Sequence, residues 1–275
     1  MLARSRLSSL GFKVAPDARH SFGTGNCCVF FRNRTYLEPI TILDRNRADM
    51  AAAEGVTFVK RLKRFTERQG EGFAMLALKS DDAEADAAVF GKAGAGSGAT
   101  FRLARLAKLP EGAESEVGFV LAFAEQLSAP DATFFVCQHL SADIIFQPTY
   151  LEHPNSAVGI RAVSLVAENP ADYRTILATA IGDGEIALSD MGLEAGQGGQ
   201  ELRILTREGF SARYEFDPPN PRRGLLFAAV EVAVLDLDLA AGYAGGSARR
   251  HEERVVVPAA PGLGTVIAFG RERNV

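Results

Sequence analysis

The sequence predicts an α+β fold assembled from a repeated unit of one strand, one helix and three further strands. Three observations predict it. A short apolar segment leads twice into a helix start, at residues 73–82 and again at residues 160–170. Short apolar stretches separated by turn residues follow each helix. The repeat is also too long for a solenoid of stacked small units. A mixed architecture of helices packed against sheets follows from this order.

The first part of the chain predicts a helix, several strands and a second helix. Residues 2–10 form a short amphipathic stretch that ends at Gly11. The segment His20–Asn26, HSFGTGN, predicts a turn, because glycine accepts positive φ angles without steric cost. Its Gly-Thr-Gly differs from the phosphate-binding Gly-x-Gly-x-x-Gly pattern, and a strand follows it instead of a helix. The other predicted elements are strands at 11–14, 27–32 and 35–43 and a helix at 56–68.

The rest of the chain predicts two complete units and part of another. Ser80, Asp81 and Asp82 can accept hydrogen bonds from the free N–H groups of a helix start. Pro170 suits a first helical turn. Two glycine-rich segments, residues 91–98 and 192–199, predict mobile loops. The predicted units are 73–78, helix 82–93, 100–108, 117–124 and 133–139; then 160–167, helix 170–181, 185–193, 201–207 and 211–216; and last 226–235, a turn at 242–246, 255–257 and 266–269.

Charge and composition exclude several classes of protein. The formal net charge is −4 and the pI is near 5.7, which argues against a nucleic-acid partner. One basic cluster, Lys60, Arg61, Lys63 and Arg64, predicts a solvated helix face. No apolar run approaches the roughly 18 residues that a membrane span needs, so no membrane partner is expected. The first residues lack the apolar core of a secretory signal.

The cysteines predict a reducing environment. Cys27, Cys28 and Cys137 form neither a disulfide framework nor a CxxC metal motif, which favours a cytoplasmic location. Cys137 lies two residues before His139, a spacing that raises the possibility of a nucleophilic thiol. Flanking Val136 and the apolar strand favour a small buried hydrophobic side chain instead.

Two segments carry a family resemblance. Residues 11–40, GFKVAPDARHSFGTGNCCVFFRNRTYLEPI, combine an Arg-His pair, a Gly-Thr-x-Asn turn and a Tyr-Leu-Glu strand. Residues 134–140, FFVCQHL, and 152–160, EHPNSAVGI, form the second. Together they resemble the glyoxalase-like members of the vicinal oxygen chelate superfamily. The resemblance implies βαβββ modules whose curved, mostly antiparallel sheets pair around a cleft. It also implies a glyoxalase-like domain at residues 1–150, followed by further modules at 151–275.

The resemblance has one departure, at the N-terminus. Family members usually begin with a strand that carries an Asp-His pair, whereas this chain starts inside the helix that follows it. The histidine that serves the family as first metal ligand therefore has no counterpart in this sequence. Two alternatives are open: the first module lacks its first strand, or that strand lies upstream of Met1.

The resemblance singles out Glu38 and His139 as catalytic residues and metal ligands. Glu38 lies in the last strand of the first module, where superfamily enzymes often place a metal-binding carboxylate, and His139 holds the matching position in the second. Strand alternation puts Glu38 on one face with Tyr36 and Ile40. A carboxylate and an imidazole suit a divalent ion such as Zn, Ni, Mn or Fe, or an acid–base pair. The alternatives are a partner arginine, Arg19 or Arg34, for Glu38, and a structural hydrogen bond for His139.

Four further residues are candidates for substrate binding. His20 and His153 lie in predicted turns near Asn26 and Asn155, where they would reach substrate oxygens at the rim of a cleft or fix their own loops. His251 follows two arginines in a polar loop and is expected to be solvated.

Two functions are therefore open. One is a small-molecule enzyme of the glyoxalase or dioxygenase kind, acting on a substrate with adjacent oxygens and using a divalent metal. The other is a metal-free protein that binds or sequesters a small molecule. The absent first-strand histidine favours the second, and the paired Glu38 and His139 favour the first. The resemblance also implies a homodimer.

Overall fold

The computed structural model describes residues 2–96, 98–108, 112–125, 127–182, 184–220 and 224–272. Within these ranges the chain combines helices with curved, largely antiparallel sheets, so the α+β class with βαβββ modules is confirmed. The full strand–helix–three-strand unit occurs three times in the described chain, and a unit without a first strand precedes them.

The first unit is a set of short strands between helices. The predicted strand at 11–14 is wrong, because the Lys13 amide bonds to His153 Nδ1 at 3.0 Å instead of to a neighbouring strand. Helix α2 was not predicted; the Asp44 side chain caps it by accepting from the Arg47 amide at 3.0 Å. The elements are α1 (Leu2–Ser9), β1 (Ala18–Arg19), β2 (Thr24–Asn26), β3 (Val29–Phe30), β4 (Tyr36–Leu37), β5 (Ile40–Ile42), α2 (Arg45–Ala53) and α3 (Thr57–Gln69).

The second unit matches its prediction closely. Asp82 caps its helix by accepting from the amides of Glu84 and Ala85, each at 3.1 Å. The described strands form a four-stranded sheet in which the first strand runs parallel to the last and the other pairs are antiparallel. The elements are β6 (Met75–Ser80), α4 (Ala83–Lys92), β7 (Phe101–Lys108), β8 (Glu114–Ala124) and β9 (Thr133–His139), in the sheet order β6-β9-β8-β7.

The last two units form one continuous sheet of eight strands in the described chain. A short helix, α5 (Ala142–Ile145), and a 3-10 turn at Pro148–Tyr150 precede it. The units are β10 (Ala157–Ala167), α6 (Arg174–Ile181), β11 (Ile186–Ser189), β12 (Gly192–Gln197) and β13 (Gln200–Leu205), then α7 (Arg207–Tyr214), and finally β14 (Leu225–Val234), α8 (Leu237–Ala244), β15 (Arg249–His251), β16 (Arg254–Val257) and β17 (Val266–Arg271). The last unit, predicted as partial, is complete. The two units join through antiparallel β10 and β14.

Three predictions in this half are wrong. The turn expected at 242–246 overlaps the end of α8, a helix that was not predicted and whose start is capped by Asp236. Residues 211–216 were expected to form a strand, but Ser211–Tyr214 belong to α7, whose start is capped by Thr206 Oγ1 accepting from the Gly209 amide at 2.9 Å. Residues 192–199 were expected to form a loop, yet Gly192–Gln197 pair with β11 and β13. A Cβ on Gly192 would approach the Ile204 carbonyl oxygen to 2.2 Å, so glycine permits this close pairing.

The sheets pack through their helix-bearing faces. In the middle of the molecule, α4 and α6 share one core with inward residues of β8, β9, β10 and β14. A second core joins α1 of the first unit to α8 and the strands beside it. Helix α3 packs on the second unit, and Arg61, 8% exposed, donates to the Ala124 carbonyl at 2.9 Å. The prediction that Arg61 lies on a solvated face is therefore wrong.

The opposite face of the C-terminal sheet is filled by α7 and a cluster of ionised side chains. Phe210 and Tyr214 of α7 are fully buried against it. The Glu231 carboxylate, 1% exposed, accepts from Arg203 at 3.0 Å, from Arg213 at 2.9 Å and from the Tyr214 hydroxyl at 2.9 Å. Arg161 and Arg254 approach the same carboxylate to 3.6 Å. This face of the sheet is therefore closed by the protein itself.

Two features bear on partners and compartment. Cys27, Cys28 and Cys137 are free thiols, at most 5% exposed. None of the helices in the described chain is long and apolar enough to cross a membrane.

Candidate functional site

The face of the second unit's sheet that lies away from α4 is open, and it forms a pocket with the strands of the first unit. The pocket spans about 560 Å³ when the part open to solvent is included. Its walls come from separate parts of the chain: the 20–38 region, α3, β7, β8, β9 and α5. Most lining side chains are aromatic or aliphatic. They are Phe22, Phe30, Tyr36, Phe58, Phe119, Phe135, Leu103, Leu121 and Ile145, with the thiols of Cys28 and Cys137 and the polar residues His20, Asn26, Glu38 and Arg105.

Glu38 supplies the only carboxylate among the residues that line this pocket in the described chain. It follows β4 directly and keeps accessible surface in the pocket. The buried Asn26 amide donates a short hydrogen bond to its Oε1. Partial desolvation by the surrounding protein raises the pKa of Glu38, and the Asn26 bond and the charge of Arg105 oppose this only in part. A carboxyl group with a raised pKa in a pocket is a candidate proton carrier.

His20 lies at the polar part of the pocket and is neutral at physiological pH. Its ring stacks on Phe22 at a centroid distance of 5.0 Å, and Nδ1 lies 2.7 Å from the Thr24 hydroxyl. Burial, reinforced by the positive charge of Arg105, lowers the pKa of His20 to about 4. A neutral imidazole can donate or accept one hydrogen bond toward a ligand. The placement of His20 and Asn26 beside Glu38 agrees with a substrate-binding role, which stays a prediction.

His139 lies on the pocket-facing side of β9, two residues beyond Cys137, but is not one of the lining residues. Its ring packs against Tyr36, Phe119 and Phe146, and Nε2 is 3.5 Å from the Tyr36 hydroxyl. Burial lowers the pKa of His139, with a smaller effect of Lys79. No hydrogen bond or ion pair links His139 to Glu38, so their shared site stays a prediction. Arg34, one alternative partner for Glu38, pairs with Asp143 at 3.2 Å instead.

His153 and Asn155 hold the first unit onto the C-terminal sheet. His153 Nδ1 accepts from the Lys13 amide at 3.0 Å, and Nε2 lies 2.9 Å from the Phe30 carbonyl oxygen. Asn155 donates to the Leu10 carbonyl at 2.8 Å and accepts from the Ala157 amide at 3.1 Å. Both side chains are buried outside the pocket lining. These backbone contacts give no support to the substrate-binding roles predicted for them.

Arg105 is the pocket residue that sequence analysis missed. In β7 the alternating pattern places Phe101, Leu103 and Arg105 on one face and Arg102 on the other. An arginine on the apolar face of a strand was the available signal. The ring contributions of Phe58, Phe119 and Phe135 had no such signal, because they meet only in the folded chain.

The donor groups around Glu38 do not fit a tight divalent metal site. Such a site normally has three or four protein ligands, and the described residues contain no group of three or more His, Cys, Asp or Glu side chains arranged to hold an ion. Burial raises the pKa of Cys28 and raises that of Cys137 to about 12, so each thiol would have to release a tightly held proton to bind a metal ion. The Asn26 side chain presents its N–H group to Glu38, and an N–H group cannot coordinate a cation.

We therefore expect weak or absent binding of divalent ions by this chain. Calorimetric titration with zinc, nickel, manganese and ferrous ions should show no stoichiometric tight binding, because Glu38 lacks partner ligands. The Glu38→Gln variant is the control. Tight binding at one ion per chain that disappears in Glu38→Gln would contradict the expectation and identify Glu38 as a ligand.

Comparisons with known proteins agree with this architecture. A family model described as a glyoxalase-like domain matches residues 2–181. No curated protein matches the chain. A hypothetical protein from Staphylococcus aureus superposes with a TM-score of 0.65 at 13% identity, covering 95% of this chain and 91% of that one. This likeness shows the fold alone. A xylose isomerase-like TIM barrel/4-hydroxyphenylpyruvate dioxygenase fusion protein matches at 15% identity, over 88% of this chain and 36% of that one, with a TM-score of 0.47, too low to argue from.

Proposed function

Because the chain belongs to the glyoxalase-like domain family, we propose that it binds a small organic molecule with adjacent oxygen atoms in the aromatic pocket and moves a proton on it. The proposal rests on the Glu38 carboxyl group. Glu38 is the only acidic residue among the described residues that line the pocket, and its pKa is raised. Aromatic and aliphatic walls suit a ligand with an apolar body, and the few polar groups would orient its oxygens.

The chemistry supported best is proton abstraction next to a carbonyl group. The Glu38 carboxylate would take a proton from a carbon that bears one of the adjacent oxygens. The C–H bond breaks, an O–H bond forms on Glu38, and the electron pair moves onto the carbonyl oxygen as an enediolate. The positive charge of Arg105 would stabilise that oxygen, and neutral His20 would offer a hydrogen bond. Return of the proton to the neighbouring carbon, together with transfer of the hydroxyl proton to the former carbonyl oxygen, completes an isomerisation.

The alternative is a metal-free binding or sequestering protein. The donor groups around Glu38, which do not fit a tight metal site, and the apolar walls favour it. The two functions differ in one result, since a sequestering protein binds the ligand without exchanging its protons.

We place either function in the cytoplasm, because buried free thiols suit a reducing compartment. The homodimer implied by the family stays a prediction.

Blocking the pocket tests ligand binding directly. We expect Leu103→Trp to weaken the binding of α-hydroxyacetophenone at least about tenfold, because Leu103 lines the pocket and the indole ring would fill it. The measurement is calorimetric titration of the wild type and each variant. Leu106→Trp is the matched control, since Leu106 lies on the same strand but is 61% exposed. Equal affinities in all three proteins would place any binding elsewhere and end the proposal.

A further inference from the structure

We propose that the ligand of this pocket carries a negative charge and that Arg105 binds it. The inference rests on the proposed function of the pocket as a ligand site, and it adds the charge class of the ligand and a specificity-determining residue. The observation behind it is an arginine that lines an aromatic pocket with most of its hydrogen-bonding groups unused.

Arg105 is half-buried and poorly satisfied by the protein. Its guanidinium carries five N–H donors, yet it makes one long hydrogen bond, to the Leu106 carbonyl oxygen at 3.4 Å. The group also lies 5.9 Å from the centroid of the Phe119 ring, which fixes its position beside the apolar wall. It forms no ion pair with any carboxylate in the described part of the chain.

Arginines elsewhere in the fold show the contrast. Arg213 and Arg254, of comparable or greater burial, share the Glu231 carboxylate, and Arg102 on the outer face of β7 pairs with Glu84 at 3.1 Å. These three arginines have carboxylate partners within the protein, and the buried Arg61 has a backbone carbonyl and a ring as partners. Arg105 instead faces a pocket with room for a ligand.

The guanidinium of Arg105 is free to meet an anion because Glu38 is engaged elsewhere. Glu38 Oε1 accepts a hydrogen bond from the Asn26 amide, and no hydrogen bond or ion pair joins Glu38 to Arg105. A ligand carboxylate would fill this role through two parallel N–H···O bonds, the arrangement for which a planar guanidinium is suited.

The experiment compares two ligands of the same shape and different charge, phenylglyoxylate and its neutral amide, by calorimetric titration. Wild-type protein should bind phenylglyoxylate at least about tenfold more tightly than the amide. Arg105→Met should remove that preference by weakening only the anion, and Arg105→Lys should restore part of it. Arg102→Met, on the same strand but facing outward, should bind both ligands as the wild type does.

Three results would overturn the inference. Equal wild-type affinity for the two ligands would show that charge is not recognised, while leaving the pocket a binding site. If Arg105→Met lowers the affinity for both ligands equally and also lowers the midpoint of thermal unfolding, Arg105 only supports the pocket wall. Binding of neither ligand by a wild-type protein that does bind α-hydroxyacetophenone would exclude the anionic ligand class and spare the proposed function.

Discussion

Replacing Glu231 with glutamine is expected to lower the free energy of unfolding by about 3–5 kcal/mol. Glu231 and Arg203 are 1% and 0% exposed, and Arg213 bonds to the same carboxylate. Removing the negative charge takes away the one fully buried carboxylate that Arg203 and Arg213 share in the described chain, and Arg203 keeps only the more exposed Glu201 and Glu194 as ion-pair partners there. Chemical denaturation at neutral pH, monitored by circular dichroism, measures the loss.

Glu252→Gln is the matched control for this prediction. Glu252 pairs with Arg254 of the same cluster, but its side chain is 65% exposed. Exposed ion pairs contribute little to stability because water screens them, so the control should stay close to the wild type. Similar losses in the two variants would show that burial of Glu231 does not set its contribution.

The same carboxylate predicts an acid limit to stability. Burial alone would raise the pKa of Glu231, but Arg203, Arg213 and Arg254 overcome that effect and hold it at about 2, against an ordinary value of 4.5. A carboxyl whose pKa is lower in the folded state stabilises the fold fully above its unfolded pKa. The contribution is then lost as the pH falls from about 4.5 toward 2. The difference between the wild type and Glu231→Gln should therefore shrink across this range.

Replacing Glu38 with glutamine is expected to slow proton exchange on a bound ligand by about a hundredfold or more. Glutamine keeps the shape of the side chain and cannot accept the proton. The measurement is incorporation of deuterium from solvent into the C–H group next to the carbonyl of α-hydroxyacetophenone, followed by NMR. The exchange rate depends on the ionised form of Glu38, so it should rise as the pH passes the pKa of Glu38. Because that pKa is raised, the rise should occur at a higher pH than for an ordinary glutamate. Ligand affinity should change only a few-fold.

Glu116→Gln serves as the control, since Glu116 is exposed on β8. An exchange rate in Glu38→Gln equal to that of the wild type would remove Glu38 from the chemistry. Tight binding of the ligand by the wild type without any exchange would support the sequestering function over the enzymatic one.

The second unit and its likeness to a known family were accessible from the sequence because their signals are local. Asp82 indicates a helix start because its side-chain oxygen can accept hydrogen bonds from the free amides of the first turn. Strands β7, β8 and β9 are short apolar runs between turns. The family resemblance and the α+β class are confirmed. Glu38 was found by the same local motif, Tyr-Leu-Glu, and it does line the pocket.

The wrong predictions share a physical cause: contacts between residues far apart in the sequence determined the local structure. The sequence SARYEF alternates in a way that favours a strand, yet Phe210 and Tyr214 pack four residues apart on the buried side of a helix. Helix α2 has few large apolar residues and depends on its cap and on packing against α3. His153 resembled a loop ligand, but its partners are backbone groups more than a hundred residues away. No local pattern reports such contacts.

The closed face of the C-terminal sheet has a consequence for how the two halves can change over time. The first and second units form an open pocket. On the C-terminal sheet, α7 and the Glu231 cluster cover the equivalent surface, which is therefore buried. Substitutions of Glu231 would therefore act on the stability of the fold, whereas under the proposed function substitutions of Glu38 and Arg105 would act on ligand binding. Relatives that keep Glu231 and differ at Glu38 or Arg105 would share this fold and bind different ligands.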